Sequence, residues 1–311
     1  MKLDIIIPTF NRHEMLNRTL DSLLAARVPQ GLSVRVTVVD NNSKDRTRDT
    51  VESRMLDFGG RLDYLFEPSQ GRSHALNAGI KATGGDLVGM IDDDEEIDPG
   101  WYARAASAFA EEQVDFIGGP YLPKWGAPRP AWLPRKYAGV IGWVDGGDRV
   151  VAYGEGYPGI LMGGNAVIAR AMLKRVGLYS TSLGRTDKRL LAGEDEDMYH
   201  RLLDAGARGL YLPDLIIYHY IPPERLTKHY FRRWCFWRGV SSAAMDTWRP
   251  ASVAYLAGVP RYLYGEAARG LLRTVKFAVG PVKDPESGFS SELAFWDFAG
   301  FFYGKYFYRH G

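Results

Sequence analysis

The chain has 311 residues, 46% of them hydrophobic, enough for one large domain or two smaller ones around a real core. Lys plus Arg number 39 against 37 Asp plus Glu, a net charge of +2 that argues against a nucleic-acid partner, whose footprint is a strong basic excess. The single cysteine, Cys235, excludes an internal disulfide and fits a reducing, cytoplasmic setting. No basic segment and long apolar run precede Leu3, so no signal peptide is expected. No stretch reaches the roughly 18 apolar residues of a membrane span.

Residues 1–119 alternate between two periods. Leu3–Ile7 reads as a buried strand, and Met15, Leu16, Leu20, Leu23 and Leu24 then recur at helical spacing. Val34–Val39 is a second strand, and Arg46–Phe58 a helix with Ser43 or Asp45 placed to cap it. Tyr64–Phe66, Leu87–Ile91 and Phe116–Gly118 read as further strands, with helices at Ser73–Ala82 and Trp101–Glu111 between them. This alternation predicts an α/β fold with a mostly parallel sheet covered on both faces, whose ligands sit at the carboxyl ends of the strands.

Residues 120–160, rich in proline and carrying Trp125, Trp132 and Trp143, read as a long irregular loop over one face of the sheet, functional or simply packed. Gly163-Gly164-Asn165 precedes a strand at Ala166–Ile168, Glu194–Ala205 reads as a helix, and a strand at Ile216–Tyr218 ends at His219. Residues 223–311 read as a helical tail, with helices at Leu226–Asp246, from Pro260 to about Val279, and at Ser291–Tyr308. Arg269, Arg273 and Lys276 share one face of the middle helix, and aromatics nearly encircle the last. The tail, 251–311, either lies in a membrane interface or packs on the domain; the aromatic distribution favours the interface. Expected domains are therefore 1–222, split into halves 1–119 and 120–222, and a helical extension 223–311.

Five motifs carry chemistry. Pro8-Thr9-Phe10-Asn11-Arg12 leads from the first strand into a helix N-terminus, where free N–H groups favour anions, and Arg12 adds positive charge toward a phosphate. Asp40 ends the second strand, where a carboxylate can hydrogen-bond a nucleoside or merely organise a turn. Gly71 and Gly79 bracket a short helix carrying Arg72 and Asn77; Arg72 is placed to stack on a base or touch a phosphate, or simply lies on the surface. The apolar run Leu87–Ile91 delivers Asp92, Asp93 and Asp94 to one spot; taken alone, a solvated acidic turn and a site for a hard divalent ion explain it equally well. Glu194-Asp195-Glu196-Asp197 opens a helix, and four carboxylates exceed what its dipole needs. Asp197 can pair with Arg201 one turn on, leaving Glu194 and Asp195 to face a site. His219 is a candidate neutral ligand to complete a metal shell begun by Asp94.

The ordered set IIIPTFNR, VVDNNSKDRT, the Gly-Arg…Asn segment, DDD, GGN and GEDED resembles a family 2 glycosyltransferase of the GT-A fold over roughly residues 1–220. The resemblance implies transfer of a sugar, with inversion, from a nucleoside diphosphate, usually of uridine, to an acceptor hydroxyl. It implies that Thr9, Asp40 and Arg72 bind the nucleoside, with Pro8 shaping the pocket. Asp92 and Asp94 match the family's DxD motif, Asp92 near the ribose and Asp94 on a Mn2+ or Mg2+ ion, with Asp93 and Asn77 in the same donor-binding set. Gly164 and Asn165 match a segment near the donor sugar and acceptor, Asp195 the catalytic base with Glu194 beside it, and His219 a metal-ligand histidine of some members. Leu76 before Asn77 departs from the commoner Ala-Arg-Asn form. Two acidic clusters suit two jobs, one neutralising the leaving diphosphate and one taking the acceptor proton. The expected acceptor is a glycan or lipid-linked glycan, and the expected location the inner face of a membrane, held peripherally. A nucleotidyltransferase and a non-catalytic nucleotide-sugar-binding scaffold are the competing readings; residues 8–14 lack the Gly- and Lys/Arg-rich loop that the former needs.

Overall fold

A computed structural model describes residues 1–154, 156–183, 193–245, 253–279 and 284–308. The elements, in order, are β1 (Lys2–Thr9), α1 (His13–Ala25), β2 (Ser33–Asp40), α2 (Thr47–Arg54), β3 (Leu62–Phe66), α3 (Arg72–Ala82), β4 (Leu87–Met90), β5 (Glu95–Ile97) and α4 (Trp101–Glu111). They continue with β6 (Phe116–Gly118), β7 (Tyr121–Trp125), β8 (Val151–Ala152), β9 (Ala166–Ala169), α5 (Arg170–Val176), α6 (Glu194–Asp204), β10 (Gly209–Tyr211) and β11 (Ile217–Ile221). The last are α7 (Lys228–Met245), β12 (Tyr255–Leu256), β13 (Val259–Pro260), α8 (Arg261–Val279) and α9 (Pro285–Tyr306). Two compact units emerge: 1–123 with 144–187 and 194–220, and 124–143 with 188–193 and 221–311.

The first unit is built on an eight-stranded sheet of order β3-β2-β1-β4-β9-β6-β10-β8. β1 pairs parallel with β2 and β4, β2 with β3, and β6 with β10; β9 runs antiparallel between β4 and β6. The run at β1 is apolar throughout because both faces are covered. Leu3, Ile5 and Ile7 enter one buried cluster and Ile6 the other, as the twofold period of a strand requires. A smaller sheet of order β5-β11-β7 stands beside the large one. The parallel pairing sets Thr9 opposite Asp40, and β4 ends just before Asp92, so the predicted motifs share the carboxyl edge.

Several boundaries differ from expectation. α2 ends at Arg54 rather than Phe58, before a turn in which Gly59 and Gly60 take positive φ. Of its two candidate caps, Asp45 serves, accepting the Thr47 N–H at 3.1 Å, while Ser43 instead accepts the Asn11 N–H. Residues 120–160 are not wholly irregular: they hold β7, a 3-10 segment at Arg135–Ile141 and β8. His219 lies inside β11, not at its end, and α9 starts at Pro285 because Asp284 caps it by accepting the Ser287 N–H at 3.0 Å. β5, α5 and β10 are additional elements too short to show a period.

In the second unit, α9 packs against α7 and α8. Glycines set the α7–α9 spacing. A Cβ on Gly239 would overlap the Asp297 carbonyl, and one on Gly300 the Phe236 carbonyl. Trp132 meets Phe231 and Phe289 edge-on at 5.4 and 5.0 Å, and Trp125 meets Trp143 at 5.7 Å. The three tryptophans thus pack, partly buried, against this unit's core of Leu133, Ile141, Phe231, Phe289 and Leu293. No helix among the described residues is long and apolar enough to cross a membrane.

Candidate active site

The first strand turn and the second are tied together. Asn11, at positive φ, accepts the Lys44 N–H on its side-chain oxygen at 2.7 Å, and the His13 N–H donates to Asp45 at 3.0 Å. Pro8 and Thr9 are buried at the end of β1. Asp40 is 3% exposed and accepts from the Ser43 N–H at 2.8 Å and the Tyr64 hydroxyl at 2.7 Å. Burial and that bond push the Tyr64 phenol well above its ordinary range. Two donors thus fix the orientation of the Asp40 carboxyl group at the strand edge.

The three consecutive aspartates divide. Asp93 points inward, accepting from the Thr9 hydroxyl at 2.8 Å and from Arg12 at 3.0 Å. Burial outweighs the attraction of Arg12 and pushes its carboxyl up to about 6. Arg12 also reaches Asp94 at 3.2 Å, so one guanidinium bridges two carboxyl groups. The Asp94 carboxylate stands 3.5 Å from His219 Nε2. The Tyr220 N–H donates to the Asp94 carbonyl at 2.9 Å, and His219 pairs with Glu95 across β11 and β5, which holds the two side chains together. Among the described residues no three His, Cys, Asp or Glu side chains surround one point.

Asp92 is the most open of the three and faces the second acidic cluster through Arg72. Arg72 Nε donates to Asp92 at 3.1 Å, and its Nη1 to Asp195 at 3.0 Å and Glu194 at 3.5 Å. A single cation thus touches residues 92, 194 and 195, with three carboxylates raising it well above its ordinary pKa against the opposing effect of burial. The GGN segment lies against both clusters as well. The Gly163 N–H donates to Asp195 at 3.1 Å, and a Cβ at Gly163 would overlap that carboxylate. A Cβ at Gly164 would overlap Glu95 and stand 2.9 Å from Asp92. Only a paired glycine lets backbone approach two anionic groups this closely. The remaining carboxylates of the second cluster turn away: Asp197 pairs with Arg201 at 2.7 Å, as the one-turn spacing predicts.

Two candidates serve the frame. Asn77 donates to the Tyr179 carbonyl at 2.8 Å and accepts the Tyr179 N–H at 2.9 Å. Asn165, fully buried, accepts from the Trp101 indole and donates to the carbonyls of Pro120 and Leu215. Two residues at the site escaped the sequence reading. Glu95, 1% exposed, accepts the Asp92 N–H at 2.8 Å, and burial, with Asp92 and Asp94 beside it, pushes its carboxyl well above the carboxylate range. Tyr121 is buried with its hydroxyl facing no hydrogen-bond partner among the described residues, in the field of Glu95, Asp92 and Asp195. Glu95 continues the acidic run and was legible there; Tyr121 carried no signal. Residues 184–192 lie outside the described residues.

Residues 4–177 match the model of Glycosyl transferase family 2, more than half of the chain. A glucosyl-dolichyl phosphate glucuronosyltransferase of Haloferax volcanii is 28% identical over 262 residues, 80% of this chain and 79% of its own. The succinoglycan biosynthesis protein ExoM of Rhizobium meliloti is 27% identical over 240 residues, 75% of this chain and 72% of its own. In structure, the mannosyltransferase PcManGT of Pyrobaculum calidifontis, solved with GDP-Man and Mn2+, superposes with a TM-score of 0.63 at 18% identity, covering 98% of this chain and 87% of that one. The eight-stranded sheet is that of the GT-A fold, and the chain belongs to glycosyl transferase family 2.

Proposed function

We propose that this chain is an inverting, metal-dependent glycosyltransferase that moves a sugar from a nucleoside diphosphate sugar, expected to be a UDP-sugar, to an acceptor hydroxyl in polysaccharide or glycolipid biosynthesis. The observation that carries the reading is Arg72, whose one guanidinium meets Asp92 of the first acidic cluster and Asp195 and Glu194 of the second. The two clusters therefore belong to one site. The names of the relatives, one built around dolichyl phosphate and one around succinoglycan, support a lipid-linked or polysaccharide acceptor.

Asp94 and His219, an oxygen and a nitrogen donor 3.5 Å apart, are of the donor types that would hold a Mn2+ or Mg2+ ion. Such an ion supplies charge neutralisation for the leaving diphosphate. Asp40, Thr9 and Pro8 line the nucleoside end, and Arg12 holds Asp93 and Asp94 in place. Asp195 is the base: it accepts the proton of the acceptor hydroxyl as that oxygen bonds to the anomeric carbon and the bond to the diphosphate breaks, the electron pair leaving with phosphate. The Gly163 N–H fixes its orientation. Base and leaving group lie on opposite faces of the sugar, so the configuration inverts. The C-terminal helices, 251–311, contact the membrane surface where a lipid-linked acceptor is presented.

Thermal shift against a panel of nucleotide sugars with Mn2+ identifies the donor, since a ligand at 100 times its Kd stabilises by about 2.7 kcal/mol. Product NMR with that donor then reads the anomeric configuration. Inversion is expected; retention overturns the single displacement.

A further inference from the structure

The second unit contains a cleft of about 590 Å³, lined by α8, the first turns of α9 and the 3-10 segment at Arg135–Ile141. Its acids are partly committed. Asp297 pairs with Arg238, and Glu286 accepts the Arg135 N–H at 3.2 Å, leaving Glu266 on the rim. Of its other cations, Lys136 lies over the Tyr137 ring and in the field of Asp297, while among the described residues no carboxylate lies within ion-pair distance of Arg269 or Arg273. Arg269 and Arg273 are one turn apart on α8 and exposed, with Ser290 of α9 also on the wall. The cleft wall thus carries two guanidinium groups and a hydroxyl, the donor types that bind phosphate oxygens.

What adjoins the cleft decides what kind of phosphate reaches it. Next to the Arg269–Arg273–Lys276 stripe, α8 exposes Leu271, Leu272, Val275 and Val279 at 44, 73, 58 and 80%. At 100° per residue these four cover an arc of about 100° that begins where the basic stripe ends. A soluble anion has no use for that strip, whereas a helix lying in a bilayer surface buries such a strip among acyl chains and meets headgroups along its basic edge.

We propose that this cleft is a headgroup site for an anionic phospholipid: Arg269 and Arg273 grip the lipid phosphate while Leu271, Leu272, Val275 and Val279 enter the acyl layer. The proposal rests on the membrane-surface reading of 251–311 and names its lipid class and its residues. Lys276 belongs to the basic stripe but not to the cleft lining, and so separates a shaped site from diffuse attraction.

The test is flotation of the full chain with vesicles of phosphatidylcholine alone or with 30% phosphatidylglycerol, at about 0.15 M salt. Wild type is expected to float with the anionic vesicles at least tenfold better. Arg269→Gln and Arg273→Gln should each reduce that binding about fivefold or more, and Lys276→Gln less than twofold. Leu272→Ser with Val279→Ser should abolish flotation, with the thermal melt and Mn2+-dependent donor binding unchanged in every variant. Equal losses for Arg269→Gln, Arg273→Gln and Lys276→Gln would overturn the cleft and leave a diffuse basic surface. Equal binding to neutral and anionic vesicles would overturn the headgroup site while leaving the membrane contact intact. No flotation with either vesicle would overturn both, and donor binding reports separately on the glycosyltransferase reading.

Discussion

The two acidic clusters of the catalytic unit have similar compositions and different settings. The first ends a buried strand: Asp93 and Asp94 are under 10% exposed, and both are held by Arg12. The second opens a helix, where Asp195 keeps 21% of its side chain open and accepts from one backbone N–H and one guanidinium. Burial and the shared Arg12 hold Asp93 and Asp94 in fixed positions at the strand end, while Asp92 stays open toward Arg72. Partial exposure leaves the second with an accessible oxygen, as a base must have. The fold separates the jobs by where each cluster sits on its element, strand end or helix start, rather than by residue type.

Four substitutions probe that contrast, in order of expected effect. Asp94→Ala should lower transfer by about 10²- to 10³-fold, the scale of losing one preorganised charge-stabilising group, and should leave donor binding insensitive to EDTA in calorimetry. Unchanged EDTA sensitivity would move the ion elsewhere. Arg72→Gln should destabilise by about 3 kcal/mol in urea unfolding, because it leaves the carboxylates on both sides uncompensated. A neutral result would mean the two clusters do not share that cation. Gly163→Ala should slow transfer by about 10²-fold with a smaller change in donor affinity, since a Cβ would overlap an Asp195 carboxylate oxygen and must push that group out of place. Equal losses in turnover and donor affinity would show that the GGN segment holds the donor instead. Asp197→Ala, which removes only a half-exposed pair with Arg201, should cost about 0.5 kcal/mol or less and leave transfer intact. A large kinetic effect there would enlist the whole second cluster in the chemistry.

The fold was legible where periodicity is long. The strands and helices of 1–119 fall within a few residues of their expected bounds, and α4 matches residue for residue. Short pieces such as β5 and β10, three residues each, are fixed by neighbours in the sheet and leave no pattern to read. The site divides in the same way. Asp92 and Asp195 were legible as charge clusters, and the structure joins them through Arg72. Asn77 and Asn165 were legible as motif positions, while the backbone carbonyls their amides bond are brought to them by the fold and leave no mark in the spacing. Tyr121 was invisible because a lone tyrosine at a strand start is ordinary, and only burial of its hydroxyl among carboxylates sets it apart.

The division of labour is tested most directly with Asp195→Asn, by measuring donor binding calorimetrically with and without Mn2+ alongside sugar transfer. Binding within about twofold of wild type, still Mn2+-dependent, with transfer reduced by about 10²- to 10⁴-fold, is the predicted result for a lost general base. Loss of donor binding in step with transfer, or transfer at the wild-type rate, would contradict it.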